Sequence, residues 1–173
     1  TGWLDSGGQA RDLGTRPDAL ALVDDEVVAS SAFGDIALWT ATGSTPRVAE
    51  DQRGYALATC DSDGDGDQEL VVGAPGAGTI DSEGVTVAHG TGRFGAALAC
   101  GEPGVIYVGA PAEGTLHQGA VYRVERMGTP SLVAAGDDLD ELGTALAVAS
   151  GHLLMGAPGA AASPGSVRLV PVP

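Results

Sequence analysis

Apolar residues come in short runs along this chain, each cut off within a few positions by Gly, Pro or Asp. Leu70-Val71-Val72 is typical: Gly73-Ala74-Pro75 stops it at once. No long stretch repeats apolar residues at the helical period. Short runs between turn residues predict an all-β protein with many tight turns.

The runs recur. Gly54-Tyr55-Ala56-Leu57-Ala58, Phe94-Gly95-Ala96-Ala97-Leu98-Ala99 and Leu142-Gly143-Thr144-Ala145-Leu146-Ala147 line up. Each leads, after a turn, into an apolar strand and the same stop: Gly73-Ala74-Pro75, Gly109-Ala110-Pro111 and Gly156-Ala157-Pro158. A worn copy, Arg16-Pro17-Asp18-Ala19-Leu20-Ala21 through Val27-Val28 to Ser30-Ser31-Ala32, aligns without gaps to Leu142 through Pro158. Third strands are expected at 35–39, near 78–80, at 120–124 and at 166–170. Fourth strands are expected at 47–49, 85–88 and 131–134. The last copy has no fourth strand, and the N-terminus has one to spare around Gly2-Trp3-Leu4-Asp5. Four-stranded repeats of roughly 40 residues are the size of propeller blades. The expected fold is one domain, 1–173: a four-bladed β-propeller with repeats at 13–53, 54–93, 94–141 and 142–173 plus 1–12. The N-terminal strand completes the last blade, and closure removes the open sheet edge.

One loop carries candidate chemistry. In Asp61-Ser62-Asp63-Gly64-Asp65-Gly66-Asp67-Gln68-Glu69, carboxylates fall at every second position. Asp61, Asp63 and Asp65 offer side chains, Asp67 a backbone carbonyl, and Glu69 a carboxylate at loop position nine. This is the spacing by which a tight loop wraps oxygens around Ca²⁺. Helix-loop-helix calcium sites need a bidentate Glu at position twelve, which here is Val72, and their flanks are helical. Both flanks here are strand-like, so the loop joins two strands of a hairpin and one structural Ca²⁺ is expected. Without metal the segment reads as a solvated acidic turn.

The 173 residues suffice for a sizeable core. A net charge of −15 argues against nucleic-acid and anionic-membrane partners. No apolar run approaches the roughly 20 residues that span a bilayer. Thr1-Gly2-Trp3 is no initiator sequence, so the chain reads as a mature or excised fragment. All eight basic residues are Arg, and Asn is absent, which removes any N-glycosylation acceptor. The Arg, Ala and Gly bias fits a GC-rich, bacterial coding sequence.

These motifs together resemble the FG-GAP repeat of integrin α-subunit propellers and related bacterial proteins. Phe94-Gly95 and Gly109-Ala110-Pro111 carry the repeat's name almost literally, and Asp61 to Glu69 looks like its calcium loop. Family propellers usually have seven blades, whereas this chain has material for four. It is therefore a small closed ring, half of a ring made by two chains, or an excised part. Only one repeat keeps the calcium loop; Asp24-Asp25-Glu26, Gly101-Glu102-Pro103-Gly104 and Ser150-Gly151 stand at the matching turns. The resemblance implies a non-catalytic recognition, adhesion or scaffold module, extracellular, on the cell surface or periplasmic. Its calcium would be structural. Its partner would be a protein or glycan held on a blade-loop face, and the chain a monomer or homodimer. The alternatives are a carbohydrate-binding propeller and the non-catalytic part of a larger secreted enzyme.

Other candidates carry less. Cys60 and Cys100 end the first strands of adjacent repeats, at what look like equivalent positions, so either a disulfide or two buried thiols is expected. Leu4-Asp5-Ser6-Gly7-Gly8 resembles part of the trypsin-like nucleophile motif, but no His precedes it in that family's order. His89, His117 and His152 lack metal spacing. Trp3, Trp39, Tyr55, Tyr107 and Tyr122 are expected to fill space between blades rather than form a sugar platform. Asp137-Asp138-Leu139-Asp140-Glu141 reads as a solvated loop or a looser cation site.

Overall fold

The apolar runs pair with their neighbours as antiparallel strands. The computed structural model describes residues 19–23, 26–30, 36–40, 43–47, 54–160 and 164–172. Four sheets follow one another along the chain, each a meander in sequence order. Sheet 1 holds β1 (Ala19–Val23), β2 (Glu26–Ser30), β3 (Ile36–Thr40) and β4 (Gly43–Arg47). Sheet 2 holds β5 (Ala56–Cys60), β6 (Glu69–Ala74), β7 (Thr79–Ser82) and β8 (Val85–His89). Sheet 3 holds β9 (Ala97–Cys100), β10 (Val105–Ala110), β11 (Ala120–Glu125) and β12 (Ser131–Ala135). Sheet 4 has three strands among the described residues: β13 (Ala145–Ala149), β14 (His152–Ala157) and β15 (Ser166–Pro171). The described residues contain no α-helix.

First strands of consecutive sheets adjoin, β1 beside β5, β5 beside β9 and β9 beside β13. Successive side chains of a strand point to opposite faces, so sheets 2 and 3 each serve two interfaces. Ile80, Val71 and Phe94 meet Ile106, Val108 and Val124 between sheets 2 and 3. Val105, Tyr107 and Val121 meet Leu142, Leu153 and Met155 between sheets 3 and 4. A smaller cluster joins Val28 to Val72 between sheets 1 and 2. Every residue of β10 is buried. That is why Val105 to Ala110 is apolar without alternation: both of its faces are covered.

The glycines of the first two GAP stops have a steric cause. A Cβ on Gly73 would lie 2.1 Å from the Gly95 carbonyl oxygen of the next sheet, and one on Gly109 would lie 2.0 Å from that of Gly143. Only a residue without a side chain lets the two backbones come this close. Sheet 1 has Ser30 at this position, and its buried hydroxyl donates to the carbonyl of Gly54.

Two expectations need correction. The fourth strand of sheet 1 is Gly43–Arg47 rather than 47–49. β4 is an edge strand, where Pro46 needs no second partner. The acidic run 137–141 is no solvated loop throughout. Asp140 is buried and accepts a 2.6 Å bond from the Arg168 guanidinium, which also lies 3.5 Å from Asp137. No approach like that between the other first strands joins β13 back to β1 among the described residues. The N-terminal clasp strand, the Leu4 to Gly8 motif and Trp3 lie outside those residues.

Candidate metal centre

The acidic loop spans residues 61–68, between the last pair of the β5–β6 ladder, Cys60 and Glu69. Asp61 organises it. Its Oδ1 accepts from the Gly64 N–H at 2.7 Å and its Oδ2 from the Gly66 N–H at 3.1 Å. Gly64 (φ 84°) and Gly66 (φ 106°) occupy left-handed backbone that a side chain would disfavour, which explains the glycines between the acids. Asp63 accepts from the Asp65 N–H, and Asp65 from the Asp67 N–H, so each acid turns the chain by two residues. As a result carboxylate oxygens of Asp61, Asp63 and Asp65 lie within 4.8 Å of one another.

Glu69 also ties the loop together. Its Oε2 accepts from the Ser62 N–H at 2.7 Å and from the Ser62 hydroxyl at 2.8 Å. Ser62 is fully buried, and its hydroxyl also meets that of Ser82 on β7 at 2.9 Å. Glu69 thus latches the loop's start to its end. Asp67 is exposed at the loop's far side. The next sheet braces the loop: the Gly104 N–H donates to the Asp61 carbonyl at 2.7 Å. The Arg126 guanidinium, at the β11–β12 turn, lies against Gly64.

A disulfide between Cys60 and Cys100 anchors the residue before the loop, with a Cα separation of 5.5 Å. The two cysteines are not at equivalent positions. Thr59 pairs with Leu70 as Cys100 pairs with Ile106, so Cys60 stands one residue further along its strand. A shift of one residue turns a side chain to the opposite face. Cys60 therefore faces sheet 3 and Cys100 faces sheet 2, which is what lets them meet.

All the converging atoms are carboxylate oxygens. That donor set suits a hard divalent cation such as Ca²⁺ and gives nothing to a metal that prefers imidazole or thiolate. Asp61, Asp63 and Asp65 would supply side-chain ligands. His89, His117 and His152 are exposed and form no such cluster among the described residues. Tyr107 is buried, and Tyr122 packs edge-on against Phe94 with centroids 5.7 Å apart. Burial, and after it the Glu113 charge, pushes the Tyr122 phenol above its ordinary pKa. Sequence reasoning missed the Ser62–Glu69 latch and Arg126, because both depend on which strands adjoin.

A second concave place lies at the other end of the first strands. A hollow of about 220 Å³ is lined by Tyr55, Arg93, His117 and Glu141 among others. The Arg93 guanidinium sits 5.2 Å from the Tyr55 ring centroid.

Residues 53–96 match the model of the FG-GAP repeat. That span holds the acidic loop and all of sheet 2. No curated protein matches the sequence. Among solved structures, the crystal structure of the computationally designed Ika4 protein is similar in fold, with a TM-score of 0.62 and 21% identity. The likeness covers 94% of this chain and 95% of that one.

Proposed function

We propose that this chain is a non-catalytic propeller module of FG-GAP type, held by one structural Ca²⁺, that serves recognition, adhesion or scaffolding outside the cytoplasm. The observation that carries the reading is the convergence of Asp61, Asp63 and Asp65 in a loop braced by the next sheet. Bound Ca²⁺ would neutralise carboxylates that otherwise repel one another. The chain's own groups hold the loop in shape: Asp61 through two backbone N–H groups, Glu69 through Ser62. Such a clamp fixes a turn; it activates no water and polarises no substrate. The disulfide supports an oxidising compartment.

In this reading the ligand docks at the loop end opposite the metal. The hollow beside Tyr55, Arg93 and Glu141 combines an aromatic face with both charge signs, as a protein side chain or a glycan would require. Calcium titration calorimetry tests the core of the proposal. One ion per chain is expected for the wild type and none for Asp63→Ala. Binding of equal strength by both would place the metal elsewhere.

A further inference from the structure

Sheet 4 presents to solvent the face that sheets 2 and 3 present to their successors. Gly156 pairs with Val167 as Gly109 pairs with Val121, which fixes the equivalence. Val121 is wholly buried, whereas Val167 is 61% exposed. Ala99 is buried and its counterpart Ala147 is exposed. Leu169, on the same face, is 60% exposed. For a chain of net charge −15, the absence of any carboxylate from the face formed by β13, β14 and β15 is notable.

Gly156 carries the argument further. At Gly73 and Gly109 the missing side chain makes room for the carbonyl of the following sheet. Gly156 keeps that vacancy, yet the nearest atom to a Cβ there is Ala145 Cβ of its own sheet, at 3.4 Å. Around it lies a hollow of about 350 Å³ lined by Thr144, Ala145, Pro164 and Val167. The position is shaped for a next sheet that the described residues do not supply.

The complementary surface stands at the other end of the chain. Leu20 and Leu22 project from β1 on the side away from sheet 2 and are 48% and 57% exposed. Their counterparts Leu98, Cys100, Leu146 and Val148 pack into the preceding sheet's core. Sheet 1 therefore offers the kind of face that sheets 2, 3 and 4 each seat on their predecessors. Among the described residues of one chain the two faces are not packed together, since β13 and β1 make no approach like that of the other first strands.

We infer that a second copy of this chain covers both faces: sheet 1 of each copy seats on sheet 4 of the other, closing one ring from two chains. The interface continues the packing already present between sheets within the chain. A two-fold axis buries both open faces at once, so assembly stops at two. The inference does not depend on calcium or on any ligand.

The test is mass by light scattering over a concentration series, at about 0.15 M salt to screen the like charges. Wild type is expected to run at twice the chain mass of 17.1 kDa. Gly156→Ala is the diagnostic variant. Its methyl fits a lone chain at ordinary contact distance but meets a carbonyl in the ring. The dimer should weaken by about tenfold to a hundredfold, the usual cost of overpacking, with the circular dichroism unchanged. Leu169→Glu, on an exposed face, should weaken it by about 100-fold. A wild type that stays at 17.1 kDa at every concentration overturns the inference, as would an open polymer. So would a dimer that Gly156→Ala leaves intact.

Discussion

The same corner of the repeat is turned in two ways. In sheet 4, Ser150 and Gly151, both at positive φ, link Ala149 to His152 in the shortest hairpin turn. In sheet 2, residues 61–68 link Cys60 to Glu69. The strands on either side keep the same antiparallel register. The architecture therefore does not require the long loop, and the acids within it serve some need of their own. The long turn is also the one tied to its neighbour, through the disulfide and the Gly104 to Asp61 bond. On the function proposed above, the added length is what a cation would hold.

The largest way to break the comparison is to cut the covalent tie. Cys60 and Cys100 are 40 residues apart. Chain-entropy reasoning puts the loss on replacing both by Ser at about 4 kcal/mol, read from denaturant unfolding. Next, residues 61–68 can be replaced by the Ser-Gly dipeptide of sheet 4. The β-sheet circular dichroism should persist while any response to calcium disappears. Collapse of the fold would mean that the long loop is part of the architecture after all. The smallest effect is expected at Arg126, whose guanidinium lies against Gly64. Arg126→Ala removes a positive charge that opposes a bound cation. Calcium affinity should rise by about threefold, the size of a partly screened charge pair near ε ≈ 80. Titration at low salt would read it most clearly.

Much of this was legible in the chain. The GAP stops and the runs before them mark first and second strands because a doubly covered strand needs continuous apolar sequence and a Gly where backbones touch. The Asp61 to Glu69 spacing marked the loop because alternate acids and glycines leave few other conformations. Less was legible where the answer depends on register. Cys60 and Cys100 look equivalent by eye, and one residue of offset decides that they face each other. Asp140 looks like one acid in a solvated run, and only the arrival of Arg168 from β15 explains its burial. The exposed face of sheet 4 was hidden for the same reason: its residues are as apolar as those of sheet 3, and sequence does not say which faces are covered.

The account's central claim is that a cation holds the long turn. Thermal unfolding in saturating Ca²⁺ and in excess chelator tests it most directly, with Asp63→Ala alongside. At about 100 times the dissociation constant, one bound ion adds about 2.7 kcal/mol, or about 5–10 °C in Tm for a chain of this size. The wild type should lose that increment in chelator, and Asp63→Ala should melt at the lower temperature in both. Equal wild-type midpoints with and without Ca²⁺, or a full calcium shift in Asp63→Ala, would contradict the account.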